Sequence, residues 1–263
     1  VFPKLIQIGD FFIPTYGLLV ALGFLAGLWV AGRLAQSRGM APQLITDLGI
    51  YVALAGLLGA KLTMLLYDLP YFLSHPGEIF TMATLQAGGV FHGGLILALL
   101  VAVWYVRKRK LQFLPVADVF APGIALGHAI GRLGCFAAGC CWGAACDRPW
   151  AVTFTNPDAH ELVGVPLGVP LHPSQLYEAS AEALIFALLY WRFRQGTHAP
   201  GHIISLYLVL YPTARFFIEF VRTHEQADPF GWGLSLAQWV ALALVSVGAV
   251  LAWRSRKLAH LRT

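Results

Sequence analysis

Seven runs of apolar residues, each long enough to cross a bilayer, are separated by short polar or Gly/Pro-rich breaks. They cover roughly 14–34, 44–67, 84–106, 113–135, 174–191, 202–221 and 235–253. A helix needs about 20 residues to traverse the hydrocarbon core, so the pattern predicts an all-α polytopic integral membrane protein with about seven transmembrane helices. Short breaks leave no room for a second domain, and 1–263 reads as a single transmembrane domain. The longest break, about 143–173, predicts a periplasmic loop with a short strand near 150–154. No internal repeat of the transporter kind is visible.

Composition agrees with that reading. Hydrophobic residues make up 58% of the chain and charged residues 12%, with a mean hydropathy of +0.67, against about 25% charged in a soluble domain. The pI near 9.1 would suit nucleic acid, but the basic residues cluster at the ends of apolar runs, where they act as topology signals. Place the C-terminus in the cytoplasm. Inner segments then hold twelve Lys and Arg: Arg33, Arg38, Arg107, Lys108, Arg109, Lys110, Arg192, Arg194, Arg254, Arg256, Lys257 and Arg262. Outer segments hold Lys4, Arg148 and Arg222, together with the acids Asp10, Asp68, Glu78, Asp147, Asp158, Glu161, Glu225 and Asp228. The positive-inside rule therefore predicts N-terminus out and C-terminus in, as a multi-pass protein of a bacterial inner membrane. No cleavable leader is evident ahead of the first run, which is expected to drive insertion itself.

Several polar residues fall where lipid should be. Lys61, Arg132, Arg215, Glu178, Glu182, Glu219 and His92 all lie within spans. Each such charge costs about 2.5–3.5 kcal/mol or more unless it meets a partner or a wet cavity. Arg215 and Glu219 are spaced i,i+4, which suits a local ion pair. The larger set points to a polar cavity. Gly93, Gly94, Gly127, Gly131, Gly134, Gly139 and Gly143 permit either close helix packing or the approach of a lipid headgroup to the backbone. Arg132 is a candidate anion clamp, since a guanidinium offers forked donors to a phosphate.

Five stretches resemble the prolipoprotein diacylglyceryl transferase family, in order and along nearly the whole chain. They are Tyr16-Gly17-Leu18, Phe91-His92-Gly93-Gly94-Leu95, Gly131-Arg132-Leu133-Gly134 with Phe136 and Trp142-Gly143, His172-Pro173-Ser174-Gln175-Leu176-Tyr177-Glu178, and Tyr211, Arg215, Phe216, Glu219, Phe220 and Arg222. The resemblance implies transfer of a diacylglyceryl group from phosphatidylglycerol to the thiol of a lipobox cysteine, yielding a thioether-linked lipid and glycerol phosphate. It implies an anionic phospholipid, a prolipoprotein signal peptide and the bilayer as partners, with no cofactor and no nucleic acid. Arg132 and Arg215 would neutralise the leaving phosphate. His92 would accept the thiol proton, imidazole being the side chain that exchanges protons near neutrality. Glu219 would orient Arg215. Tyr16, Gly93, Gly94, Gly134, Ser174, Gln175, Glu178 and Tyr211 would line the substrate site.

The chain departs from the family pattern in its central signature. Cys135 stands where the family has Asn, Cys140 where it has Glu, and Lys61 where it more often has Arg. Cys135, Cys140, Cys141 and Cys146 all fall within twelve positions. Three readings stay open: small apolar fillers, a redox pair on the oxidising face, or thiolates near Arg132 acting as nucleophiles or soft-metal ligands. Cys-x4-Cys-Cys-x4-Cys is not a familiar zinc spacing. The first two cysteines and Cys141 join the candidate catalytic set, with no metal as the main expectation and a soft metal ion as the alternative. Two other functions stay open beside the transferase: a thiol-dependent relative doing redox or soft-metal chemistry, and a non-enzymatic lipid-binding or transport protein.

Overall fold

The computed structural model describes residues 1–9, 11–81, 84, 89–196, 198–222 and 230–260. Asp10, Glu225, Asp228 and Arg262 of the charge map, and 85–88 of the third run, lie outside them. The helices are α1 (Thr15–Ser37), α2 (Pro42–Tyr67), α3 (Leu69–Ser74), α4 (Phe91–Lys108), α5 (Phe113–Ala138), α6 (Pro157–Val163), α7 (Ser174–Arg194), α8 (His202–Glu219) and α9 (Leu236–His260). A 3-10 turn follows α3 at Pro76–Phe80. Each of the seven apolar runs contains one long helix. Among the described residues, five segments are long and apolar enough to cross a membrane: α1, α2, α4, α5 and Leu236–Ser255 of α9. The other two long helices, α7 and α8, carry Glu178 and Glu182, and Arg215 and Glu219, which dilute their apolar character.

Two small antiparallel ribbons were not anticipated in full. Lys4–Ile8 (β1) pairs with Phe11–Pro14 (β2), ahead of the first run. In the long loop, Val152–Thr153 (β3) pairs with Pro170–Leu171 (β4), at the place where a short strand was expected. Between β3 and β4, α6 is capped by the Asn156 side chain, which accepts from Asp158 N, and is closed by Gly164 at φ 72°. Phe154, Ala159, Val165 and Leu171 form a buried cluster beneath this loop, against Phe136 and Trp142.

The chain divides into two compact units, Val1–Leu34 with Ala117–Thr263, and Ala35–Val116. In the first, α1 crosses α5 with glycine against glycine. A Cβ on Gly23 would lie 2.7 Å from the Gly127 carbonyl oxygen, and one on Gly127 would lie 2.9 Å from that of Gly23. Gly27 and Gly123 oppose each other more closely still. Two glycines four apart on each helix thus let the backbones touch, a geometry that only small residues permit in lipid. Gly123→Ala is expected to cost about 1–3 kcal/mol by forcing the helices apart. Thermal unfolding in detergent would show this as a lower midpoint. Gly131→Ala, where an added Cβ meets nothing within 4 Å, should be neutral or slightly stabilising.

Polar side chains finish the helix ends. The α8 N-terminus is capped from a distance by buried Asp118 of α5, which accepts from Gly201 N at 2.6 Å and Ile204 N at 2.9 Å. Ser235 and Gln238 form a capping box at the start of α9, with Ser235 N donating to Gln238 Oε1 at 2.9 Å and Gln238 N to Ser235 Oγ at 3.3 Å. In the second unit, α2 and α4 pack through glycines again. A Cβ on Gly59 would sit 2.5 Å from the Gly93 carbonyl oxygen, and one on Gly94 2.7 Å from that of Gly56. Large apolar residues such as Leu25, Trp29, Leu57, Leu184 and Trp191 are exposed, as a lipid-facing surface requires.

Candidate active site

A cluster of polar side chains lies in the first unit, where α5, α7 and α8 each contribute residues four apart. From α5 come His128 and Arg132, from α7 Glu178 and Glu182, and from α8 Tyr207 and Tyr211. Arg132 Nη2 meets Glu178 Oε1 at 2.9 Å, and Tyr211 OH donates to the same oxygen at 3.2 Å. Arg132 Nε donates to His128 Nε2 at 3.3 Å. With Nε2 accepting, the proton of a neutral imidazole sits on Nδ1, which lies 2.7 Å from Glu182 Oε1 and donates to it. Tyr207 OH donates to that oxygen at 3.2 Å. Glu178 and Glu182 are 1% and 0% exposed, so both carboxylates depend on these partners.

Beside this ladder the end of α5 folds back on itself. Gly139, at φ 82°, ends the helix in a Schellman motif: Gly139 N donates to Phe136 O at 3.1 Å and Cys140 N to Cys135 O at 3.1 Å. The second bond returns Cys140 to Cys135. Cys141 then takes φ 61°, a left-handed value that a non-glycine residue adopts at a cost of about 1–3 kcal/mol. Buried Gln175 donates Nε2 to Cys140 O at 2.6 Å, and buried Ser174 donates Oγ to Cys141 O at 2.7 Å, holding the turn. As a result the sulfurs of Cys135, Cys140 and Cys141 lie within 4.8 Å of one another. Arg132 Nη1 reaches Cys135 Sγ at 3.8 Å. In the loop beyond α5, hydrogen bonds from Cys135 and then Cys140, with the nearby guanidinium groups of Arg132 and Arg222, hold the Cys141 thiol below the usual range. Contacts to Cys135 and then Cys141 hold Cys140 above it.

Of the residues singled out from sequence, the structure gathers Arg132, Cys135, Cys140, Cys141, Ser174, Gln175, Glu178 and Tyr211 here. Tyr16 packs across Gly134, its ring 3.4 Å from where a Cβ would stand. Arg215 forms the expected ion pair with Glu219, and Ser235 Oγ donates to Glu219 Oε1 at 2.9 Å. His92, Gly93 and Gly94 belong to the second unit. His92 is exposed at the start of α4, its ring 5.9 Å from that of Phe91, while Gly93 and Gly94 lie against Gly59 and Gly56. Lys61 Nζ donates to Thr84 O at 2.7 Å. Sequence reading passed over His128 and Tyr207. Their signal was the i,i+4 spacing to Arg132 and Tyr211 inside apolar runs.

A polytopic helical membrane protein with a buried arginine, paired carboxylates and adjoining thiols is the class that fold and site define. The family model for prolipoprotein diacylglyceryl transferase matches residues 3–254. A phosphatidylglycerol–prolipoprotein diacylglyceryl transferase of Nitratidesulfovibrio vulgaris (strain Miyazaki F) is 39% identical over 264 residues, 97% of this chain and 94% of the relative. Those of Bordetella parapertussis and Methylobacillus flagellatus are 36% and 35% identical, each across 95% of this chain and 93% and 94% of their own lengths. The chain belongs to the prolipoprotein diacylglyceryl transferase family.

Proposed function

We propose that this protein transfers a diacylglyceryl group from phosphatidylglycerol to the cysteine thiol of a prolipoprotein signal peptide, releasing glycerol phosphate. The observation that carries this reading is the end-to-end correspondence with relatives bearing that name, over a span that includes every residue of the Arg132 cluster. The cluster suits the chemistry. Three of the five guanidinium N–H donors of Arg132 are taken by His128, Cys135 and Glu178 among the described residues, which leaves two to meet a phosphate. Arg215, braced by Glu219, supplies the second positive charge as the phosphate leaves. His92 accepts the thiol proton, and Tyr16, Tyr211 and the residues around Gly134 receive the headgroup.

The same reading places seven spans in a bacterial inner membrane as one membrane domain, N-terminus out and C-terminus in. Basic side chains over aromatic rings support it: Arg33 over Trp29 at 5.4 Å, Lys108 over Trp104 at 4.6 Å and Lys257 over Trp253 at 3.9 Å. All three stand near the C-terminal ends of the first, third and seventh long helices, which alternation puts on the same, cytoplasmic, side. In vesicles containing phosphatidylglycerol, the purified protein is expected to add one diacylglyceryl group to a synthetic lipobox peptide, with one glycerol phosphate released. Mass spectrometry reads both products. An unmodified peptide in the presence of well-folded protein and phosphatidylglycerol would overturn the reading, and a Cys→Ser peptide should stay unmodified.

A further inference from the structure

The three thiols at the end of α5 are the part of the site that phosphate binding leaves without work. Simple packing does not call for their arrangement. Two left-handed residues, Gly139 and Cys141, flank Cys140, and one of them is not a glycine. Buried Gln175 and Ser174 each spend a hydrogen bond on the carbonyls of Cys140 and Cys141. The effect of these constraints is to bring three sulfurs within 4.8 Å of one another. Sulfurs sharing a tetrahedral zinc at a Zn–S distance of about 2.3 Å stand about 3.8 Å apart. Rotation about the side-chain bonds covers the difference.

We propose that Cys135, Cys140 and Cys141 together hold one zinc ion, or another ion of that thiophilic class, with its fourth position left for the thiol of the acceptor peptide. The inference rests on the transferase reading, because it is the acceptor's chemistry that gives the open position a purpose. A zinc site with three protein ligands is the catalytic pattern, whereas structural zinc takes four. Three thiolates around a divalent ion leave one net negative charge, offset by the Arg132 guanidinium beside Cys135 Sγ. A thiol that coordinates zinc gives up its proton, which passes to the general base of the reaction. The bound thiolate then forms the S–C bond to the glyceryl carbon. The C–O bond to phosphate breaks, and its electron pair leaves on the oxygen of glycerol phosphate. Cys146 lies outside the three-sulfur group and takes no part.

The test uses the full-length protein, reduced, in detergent, loaded with Zn2+ or with Co2+ as a coloured substitute. One metal per chain is expected, with a thiolate-to-cobalt absorption band. Adding a lipobox peptide should change the cobalt spectrum, and its Cys→Ser analogue should not. Cys140→Ser and Cys141→Ser should each weaken metal binding at least tenfold, with circular dichroism confirming the fold, while Cys146→Ser should keep full stoichiometry. Three results would overturn the inference: no stoichiometric metal on the folded wild-type protein, metal retained unchanged in both serine variants, or a cobalt spectrum blind to the peptide thiol. Undiminished transfer by the chelator-stripped protein would also overturn it, leaving the transferase reading intact. A peptide-dependent cobalt spectrum with no lipid transfer in any vesicle would overturn the transferase reading instead.

Discussion

Arg132→Ala is expected to abolish lipid transfer and to destabilise the protein by about 3–5 kcal/mol, the cost of leaving a buried charge without its partner. The stranded group is Glu178, whose carboxylate is buried and whose partner at 2.9 Å is the lost guanidinium. The two effects separate in other variants. Arg132→Lys keeps a positive charge near Glu178 and should hold most of the stability. One ammonium cannot serve His128, Glu178 and Cys135 together, so transfer should still fall about a hundredfold or more. Pairing Arg132→Met with Glu178→Gln should restore the unfolding midpoint without restoring transfer. Thermal unfolding in detergent and the peptide assay read the two quantities side by side. Normal transfer by Arg132→Ala at normal protein levels would end its role as the anion clamp.

The two histidines should separate in the opposite sense. His92→Asn is expected to slow transfer by about 10²–10⁴-fold, the usual contribution of a general base, with little loss of stability because His92 is exposed. His128→Ala should instead cost about 3 kcal/mol, because Glu182 loses its donor at 2.7 Å and, among the described residues, keeps Tyr207 OH alone. If His92→Asn keeps the wild-type rate, the base must be sought elsewhere. His128, in contact with Arg132 and Glu182, is then the next residue to test.

Much of this site was legible from residue spacing, and what was missed is instructive. Arg132 and Glu178 stood out because charged groups are costly in an apolar run, and Tyr211 through the family motif. His128 did not, although it is the residue that joins Arg132 to Glu182. Its significance lies in two neighbours, one a turn away on α5 and one on another helix, and residue spacing along the chain does not show the second. Ser174 and Gln175 were read as substrate contacts from the motif alone. In the structure their side chains hold the carbonyls of Cys141 and Cys140. Gly93 and Gly94 were read in the same way, and each is packed against α2.

By itself the sequence determined the seven long helices, the long loop between the fourth and fifth of them, and the presence of charges that lipid would not tolerate. Those properties depend on local hydropathy and on residues three or four apart, which a chain carries wherever it goes. The tertiary structure decided which charges meet. It put Glu178 rather than another acid on Arg132, used Asp118 to cap a helix more than eighty residues away, and let α1 touch α5 through two pairs of glycines. It also turned an unpromising cysteine spacing into one three-sulfur site, through a Schellman turn and a left-handed Cys141. Contacts between distant segments depend on backbone direction at helix ends and on which faces pack, and residue type along the chain does not encode either one locally.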